Sequence, residues 1–132
     1  MTKSDWLDLT VLERQKYNRL SELMDLTRQL GEAMDRGDEV SVRILVSMRN
    51  DPLVSLEELK KATLLRTEAL SGEERARVAE LNGGASPEDE NETLYVSQAG
   101  SARRLWERVV ELDQRLNRRI GGDDSFYAKN GK

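Results

Sequence analysis

The side chains that could carry chemistry in this sequence are carboxylates and guanidinium groups. The 132-residue chain has 25 acidic and 21 basic residues, and it contains neither histidine nor cysteine. Without these two residue types there is no Ser–His or Cys–His pair, no imidazole or thiolate ligand for zinc, and no disulfide. The composition therefore excludes the commonest classes of nucleophilic catalysis and of structural metal site.

Several acidic residues occur in groups, at Glu57-Glu58, at Glu73-Glu74 and within residues 88–92. Paired carboxylates act as acid and base when their surroundings separate their pKa values. Here they fall at predicted helix starts or on solvated helix faces, where capping and the helix dipole account for them. They lack metal-loop spacing, and the glycine doublets lack the context of a phosphate-binding loop. We therefore expect no catalytic, cofactor or metal site, and no enzymatic activity.

Residues 101–120 carry six arginines and three acids, a local excess of positive charge. Such a segment can bind nucleic acid or an acidic partner. However, the chain as a whole has a net charge of −4, and this basic segment lacks base-stacking aromatics. Pairs such as Arg103–Glu107 and Glu111–Arg115 have the spacing of salt bridges along a solvated helix face. We therefore favour a solvated face and expect no nucleic-acid partner.

The elements that carry these charges are predicted to be helices. Residues 4–36 repeat leucine at helical spacing, which predicts a first helix about 50 Å long, capped by Ser4 or Asp5. Gly37 suits the left-handed residue after a helix, and Asp38 suits the N-cap of the next. A turn this short predicts an antiparallel hairpin.

The second helix is predicted over residues 39–70, with Pro52 in its middle. The apolar face keeps its phase across the proline, which favours a kinked continuous helix. The alternative is a new helix with Asp51 as N-cap and Pro52 at its first position. Arg49 lies within the apolar arc, where a cation needs a carboxylate. We favour an interhelical ion pair that sets the register, and a partner-docking contact is the alternative.

A short helix and a long final helix complete the predicted fold. Ser71 and Glu74 have the spacing of a capping box that starts a helix ending near Leu81. Ser86-Pro87 predicts the start of a last helix over residues 87–120. The prediction is thus an all-α fold, an elongated antiparallel hairpin or bundle of three long helices and one short helix. Residues 1–120 are expected to form a single domain, and residues 121–132 a C-terminal tail.

The last helix carries an apolar stripe that has two interpretations. Its members follow a 3-4 spacing: Ala102, Leu105, Val109, Leu112, Leu116 and Ile120. The stripe either completes the core or leaves an apolar strip for a partner helix. Trp106 and Tyr127 are of the amphipathic aromatic type that is enriched at interfaces. A self-associating coiled-coil structural protein, a homo-oligomer, is the alternative to a protein that binds other partners.

Cellular location can also be addressed from the sequence. The N-terminal residues lack the apolar core of a secretory signal, and no apolar run approaches the roughly 20 residues of a membrane span. We therefore expect a cytoplasmic protein without membrane insertion.

The sequence resembles the FlgN-type flagellar export chaperones in two segments. The first is LSELMDLTRQLGEAMDRGDEVSVRILVSMRNDPL, and the second is the ending RRIGGDDSFYAKNGK. The resemblance implies a cytoplasmic chaperone of flagellar type III secretion, which binds helical ends of hook–filament junction proteins (hook-associated proteins) and delivers them to the export machinery. FliT-type chaperones act in a similar way, and the resemblance leaves them open as the alternative family. The implied partner-binding residues lie on the last helix and in the tail: Leu105, Val109, Leu112, Leu116, Ile120 and Tyr127.

Overall fold

The computed structural model describes residues 1–120, and these residues contain five helices and no strand. The helices are α1 (Lys3–Asp35), α2 (Glu39–Met48), α3 (Asn50–Glu68), α4 (Gly72–Asn82) and α5 (Glu90–Ile120). The first long element is α1, the second is α2 continued by α3, the third is α5, and α4 is the short helix. The predicted all-α class is therefore confirmed.

The central helix is α1, which packs against α2, α3 and α5. The α2–α3 element runs antiparallel to α1, because Arg66 on α3 reaches Asp5 and Asp8 at the start of α1. The helix α5 runs parallel to α1, since Tyr95 stacks on Trp6 at one end and Arg119 pairs with Asp35 at the other. Within residues 1–120, α3 and α5 share no packing interface comparable to those with α1.

The apolar core is divided into two clusters near the two ends of α1. The first, which we call the α4-end cluster, consists of Trp6, Leu9, Leu70, Val78, Leu81 and Tyr95. The second, the turn-end cluster, consists of Leu26, Leu30, Ala33, Val42, Leu45 and Leu116. At the turn end, Gly31 permits close approach of α5, because a Cβ there would lie only 3.3 Å from Leu116 Cδ2.

Helix starts follow local capping signals, with one correction to the sequence analysis. Thr2, and not Ser4 or Asp5, is the N-cap of α1, and Asp5 completes its capping box. Gly37 has a left-handed φ of 68°, and Asp38 caps α2 by accepting from the Ser41 backbone N–H, both as predicted. The predicted capping box of Ser71 and Glu74 is also present at the start of α4.

The α2–α3 element is interrupted at Arg49 without a loop. Arg49 keeps right-handed helical torsions (φ −66°, ψ −18°), and its N–H donates to Leu45 O at 3.0 Å. Proline lacks the N–H that would continue the ladder from Pro52. The structure thus has two helices that meet at Arg49, and Asp51 lies inside α3 and does not cap it.

The start of α5 differs from the prediction by three residues. The helix begins at Glu90 and not at Pro87, and Asp89 caps it by accepting from the Glu92 N–H at 2.8 Å. The reason is a clamp from α4, since Arg77 donates to both carboxylate oxygens of Glu92 and to the Ser86 carbonyl. This contact raises the pKa of Arg77 and lowers the pKa of Glu92, so both stay charged. The clamp keeps residues 86–89 outside the helix.

Candidate functional site

The predicted partner-binding stripe of α5 lies mostly in the core. Val109 and Leu116 are 1% and 2% exposed, and Leu116 belongs to the turn-end cluster. Leu105 and Leu112 are half-buried, on the edge of the stripe. The side chain of Ile120 and all of Tyr127 lie outside the residues that the structure describes. A partner that contacts α5 in this arrangement therefore meets Leu105 and Leu112, and it reaches Val109 and Leu116 only if α5 parts from α1.

Arg49 is buried at the junction of α2 and α3, with 4% of its surface exposed. Its Nη2 donates to both carboxylate oxygens of Asp113 on α5, at 2.7 and 2.8 Å. This is the kind of interhelical ion pair that the sequence predicts for Arg49. The pair joins this junction to α5 and closes the bundle at this level.

Between the two core clusters the bundle is open. A groove of about 530 Å³ lies between α3 and α5, and the middle of α1 lines it as well. This volume is within the range of small-molecule pockets, but the groove is open along its length and not enclosed. Its apolar lining consists of Leu20, Leu56, Ala99, Ala102 and Trp106. Trp106 is 47% exposed, so it presents one of the largest apolar surfaces of α5 to solvent.

Helix α1 contributes a polar pair, Glu13 and Lys16, to the groove beside the apolar Leu20. Their spacing from Leu9 and Leu20 continues the core repeat. Glu13 is 8% exposed and accepts from Lys16 Nζ at 3.1 Å. The buried Tyr95 donates its hydroxyl proton to Asn82 Oδ1 at 2.8 Å. Burial, and secondarily the nearby Glu13 carboxylate, raises the pKa of Tyr95 to about 12, so this phenol stays neutral at physiological pH.

Two cations stand on opposite sides of the groove, Lys60 on α3 and Arg103 on α5. Neither has an ion-pair partner within residues 1–119, whereas Lys16 is paired with Glu13. Glu57, one turn from Lys60, is the acidic residue on the α3 side. Within residues 1–119, the charges that line the groove and lack an ion-pair partner are therefore two positive and one negative.

A second apolar surface lies on the outer face of α2. Val40, Ile44 and Met48 are exposed large side chains spaced four residues apart, so they form one strip. The strip faces away from Val42 and Leu45, which are buried in the turn-end cluster. We call it the α2 strip.

The sequence analysis identified Trp106 as an interface-type residue but did not identify the groove. The available signal was the polar pair Glu13 and Lys16 at core spacing in α1, together with small residues at Ala99 and Ala102 of α5. The separation of α3 from α5 depends on long-range packing. It cannot be predicted from the residue pattern of a single helix.

Comparison with known proteins identifies no relative. No family model, curated protein or solved structure matches the chain. In the part of the chain that the structure describes, no group of three acidic residues is placed to hold a metal ion, and no helix is long and apolar enough to cross a membrane.

Proposed function

We propose that this protein is a cytoplasmic flagellar type III export chaperone that binds helical ends of hook–filament junction proteins through α5. The observation that carries the proposal is the placement of α5, a 31-residue amphipathic helix packed mainly on α1. Leu105 and Leu112 on one edge are thereby left half-buried. The resemblance of the sequence to FlgN-type chaperones supplies the identity of the cargo.

The proposed mechanism is physical and needs no catalytic residue. The helical ends of the cargo would associate with one another before export, because their apolar stripes are uncovered. The chaperone covers such a stripe with the Leu105–Leu112 edge of α5, while Val109 and Leu116 anchor α5 to α1. An interface of about 800 Å² per partner is of standard size. A moderate affinity suits a cargo that must be released to the export machinery.

The experiment is a pulldown from motile cells of the source organism, with the wild-type protein as bait and mass spectrometry as readout. We expect enrichment of hook–filament junction proteins. The bait L105D/L112D should lose them, whereas the control L64D/L65D, which introduces the same two charges at exposed leucines of α3, should retain them. Recovery of these cargoes by the double variant would disprove the role of this edge. Their absence from the wild-type pulldown would disprove the chaperone function.

Self-association is the second candidate function, and the α2 strip is the observation that favours it. Antiparallel pairing of two α2 helices about Ile44 would place Val40 of one copy against Met48 of the other. In that case sedimentation would show a dimer for the wild type and a monomer for I44D. A monomeric wild type at about 100 µM would eliminate this candidate.

A further inference from the structure

We propose that the groove between α3 and α5 is a docking site for an amphipathic helix of a protein partner that carries carboxylates on its flanks. This inference goes beyond the proposed function, because it concerns the edge of α5 opposite to Leu105 and Leu112 and holds for any helical partner. It rests on three features of the groove, which are its position in the bundle, its lining and its charge.

The groove lies at a position in the bundle where one further helix would fit. At both ends of α1 an apolar cluster closes the bundle, through α4 at one end and through Leu116 and the Arg49–Asp113 pair at the other. Between these ends α3 and α5 both pack on α1 but not on each other. A helix laid between them would complete a four-helix arrangement over this stretch, and helix-in-groove binding is a recurrent mode of recognition.

The lining sets the length of the contact. Ala99, Ala102 and Trp106 extend over eight residues of α5, which corresponds to about 10 Å or two helical turns. Apolar side chains of the incoming helix at i and i+3 or i+4 lie about 5–6 Å apart, so two or three of them fit along this stretch. The small side chains of Ala99 and Ala102 leave room for them, and Trp106 provides an aromatic surface beside them.

The charges beside the groove favour a partner helix with acidic flanks. Lys60 and Arg103 stand on opposite sides of the groove without ion-pair partners within residues 1–119. A helix lying between them brings one flank to each side, so an Asp or Glu on each flank meets a cation. A helix with basic flanks would face these two like charges and only the single carboxylate of Glu57, and complementarity of this kind gives specificity more than raw affinity.

Trp106 offers a direct readout, because the chain contains two tryptophans and Trp6 is buried. In a W6F variant the fluorescence reports Trp106 alone. The probes are two synthetic 20-residue peptides with the same Leu/Ala stripe, one with Glu on both flanks and the other with Lys. We expect the Glu peptide to shift the emission to the blue, to protect it from acrylamide, and to bind at least tenfold more tightly than the Lys peptide.

Charge reversal tests the site itself. The variant K60E/R103E should lose or invert the tenfold preference. The control K61E/R108E changes the same number of charges at exposed positions on the same two helices, outside the groove lining, and should keep it. Calorimetric titration of the two peptides into the wild-type chain gives the same comparison without W6F, in case that substitution perturbs the packing against Tyr95.

Several results would overturn the proposal. They are equal affinities for the two peptides, an unchanged Trp106 emission, or an equal loss of preference in the control variant. If the emission of the protein alone shifts when residues 121–132 are removed, the tail occupies the groove. If it shifts with protein concentration, a second copy does. Because L105D/L112D leaves the groove lining intact, failure of the cargo pulldown and failure of this proposal are distinguishable.

Discussion

The ends of the bundle and its middle use the same helix in different ways. At the ends, α1 presents leucines to apolar clusters that α4, α2 and α5 close. Between Leu9 and Leu20 it presents Glu13 and Lys16 at core spacing, and beside this stretch the neighbouring helices leave a groove. The comparison teaches that stability and binding are separated along one helix: the ends hold the fold, and the middle leaves an uncovered surface that a partner can use.

The largest expected effect comes from truncating a leucine in each region. We expect L30A, at a side chain of the turn-end cluster that is almost wholly buried, to lower the free energy of unfolding by about 3 kcal/mol. The variant L56A, at a half-buried residue of the groove, should lower the free energy of unfolding by only about 1 kcal/mol. Urea unfolding followed by circular dichroism measures both values. Equal losses would contradict the division between ends and middle.

The Arg49–Asp113 pair tests what closes the turn end. Arg49 is buried and Asp113 is 30% exposed, so R49M removes the buried partner and leaves a partly solvated carboxylate; it should lower the free energy of unfolding by about 2 kcal/mol. The double variant R49M/D113L should recover most of the loss. As a control, R115M breaks the exposed Arg115–Glu111 pair and should change stability by less than about 0.5 kcal/mol. Urea unfolding of the three variants provides the measurement. A similar effect of R49M and R115M would mean that burial of the pair does not matter.

Replacing the polar pair of the groove with apolar residues tests whether this pair is needed for the fold. The variant E13L/K16L replaces the polar pair of the groove by side chains that continue the core repeat. Replacing a largely buried ion pair in this way is often neutral or stabilising, and we expect a gain of about 1 kcal/mol in thermal or urea unfolding. A marked loss of stability would show that the pair is needed for the fold and is not a feature kept for binding.

The smallest effect concerns pH and the helix starts at the ends. Hydrogen bonds at the helix starts lower the pKa values of Asp5 and Asp38: for Asp5 chiefly the bond from the Thr2 N–H, and for Asp38 chiefly the bond from the Ser41 hydroxyl, followed by the capping bond from the Ser41 N–H. A carboxylate whose pKa is lower in the folded than in the unfolded state stabilises the fold above its unfolded pKa. That contribution is lost as the pH falls through its folded pKa.

The melting temperature should therefore decrease as the pH is lowered from about 5 towards 2. In the variant D38N this decrease should be smaller. If the pH dependence of D38N equals that of the wild type, Asp38 does not contribute to it.

Much of the fold was predictable because its signals are local. The turn at Gly37 and Asp38 and the capping box of Ser71 and Glu74 were predicted from the types and spacing of neighbouring residues, and the structure contains both. The start of α5 was predicted three residues early, because Arg77, far along the chain, holds Glu92 and Ser86. The N-cap Thr2 was missed because Ser4 and Asp5 have the same capping chemistry, and the sequence does not rank them.

The candidate site was less predictable, since it depends on which helices do not pack against each other. The leucines of α5 have the same spacing whether they complete a core or bind a partner, and burial of Val109 and Leu116 was decided by packing on α1. Arg49 was expected to need a carboxylate, but the sequence did not identify Asp113 among many acids. The groove lies between α3 and α5, both of which pack on α1. The residues that line it come from segments that are distant in the sequence.

Periodicity and side chains a few residues apart were enough to predict the helical class, the succession of helices and the N-caps of α2 and α4. The composition also excluded histidine and cysteine chemistry. Tertiary packing determined which apolar residues are covered, which carboxylate neutralises Arg49, and that Lys60 and Arg103 have no ion-pair partner within residues 1–119. These depend on contacts between segments distant in the chain, whose free energies are set by the packing of all helices together.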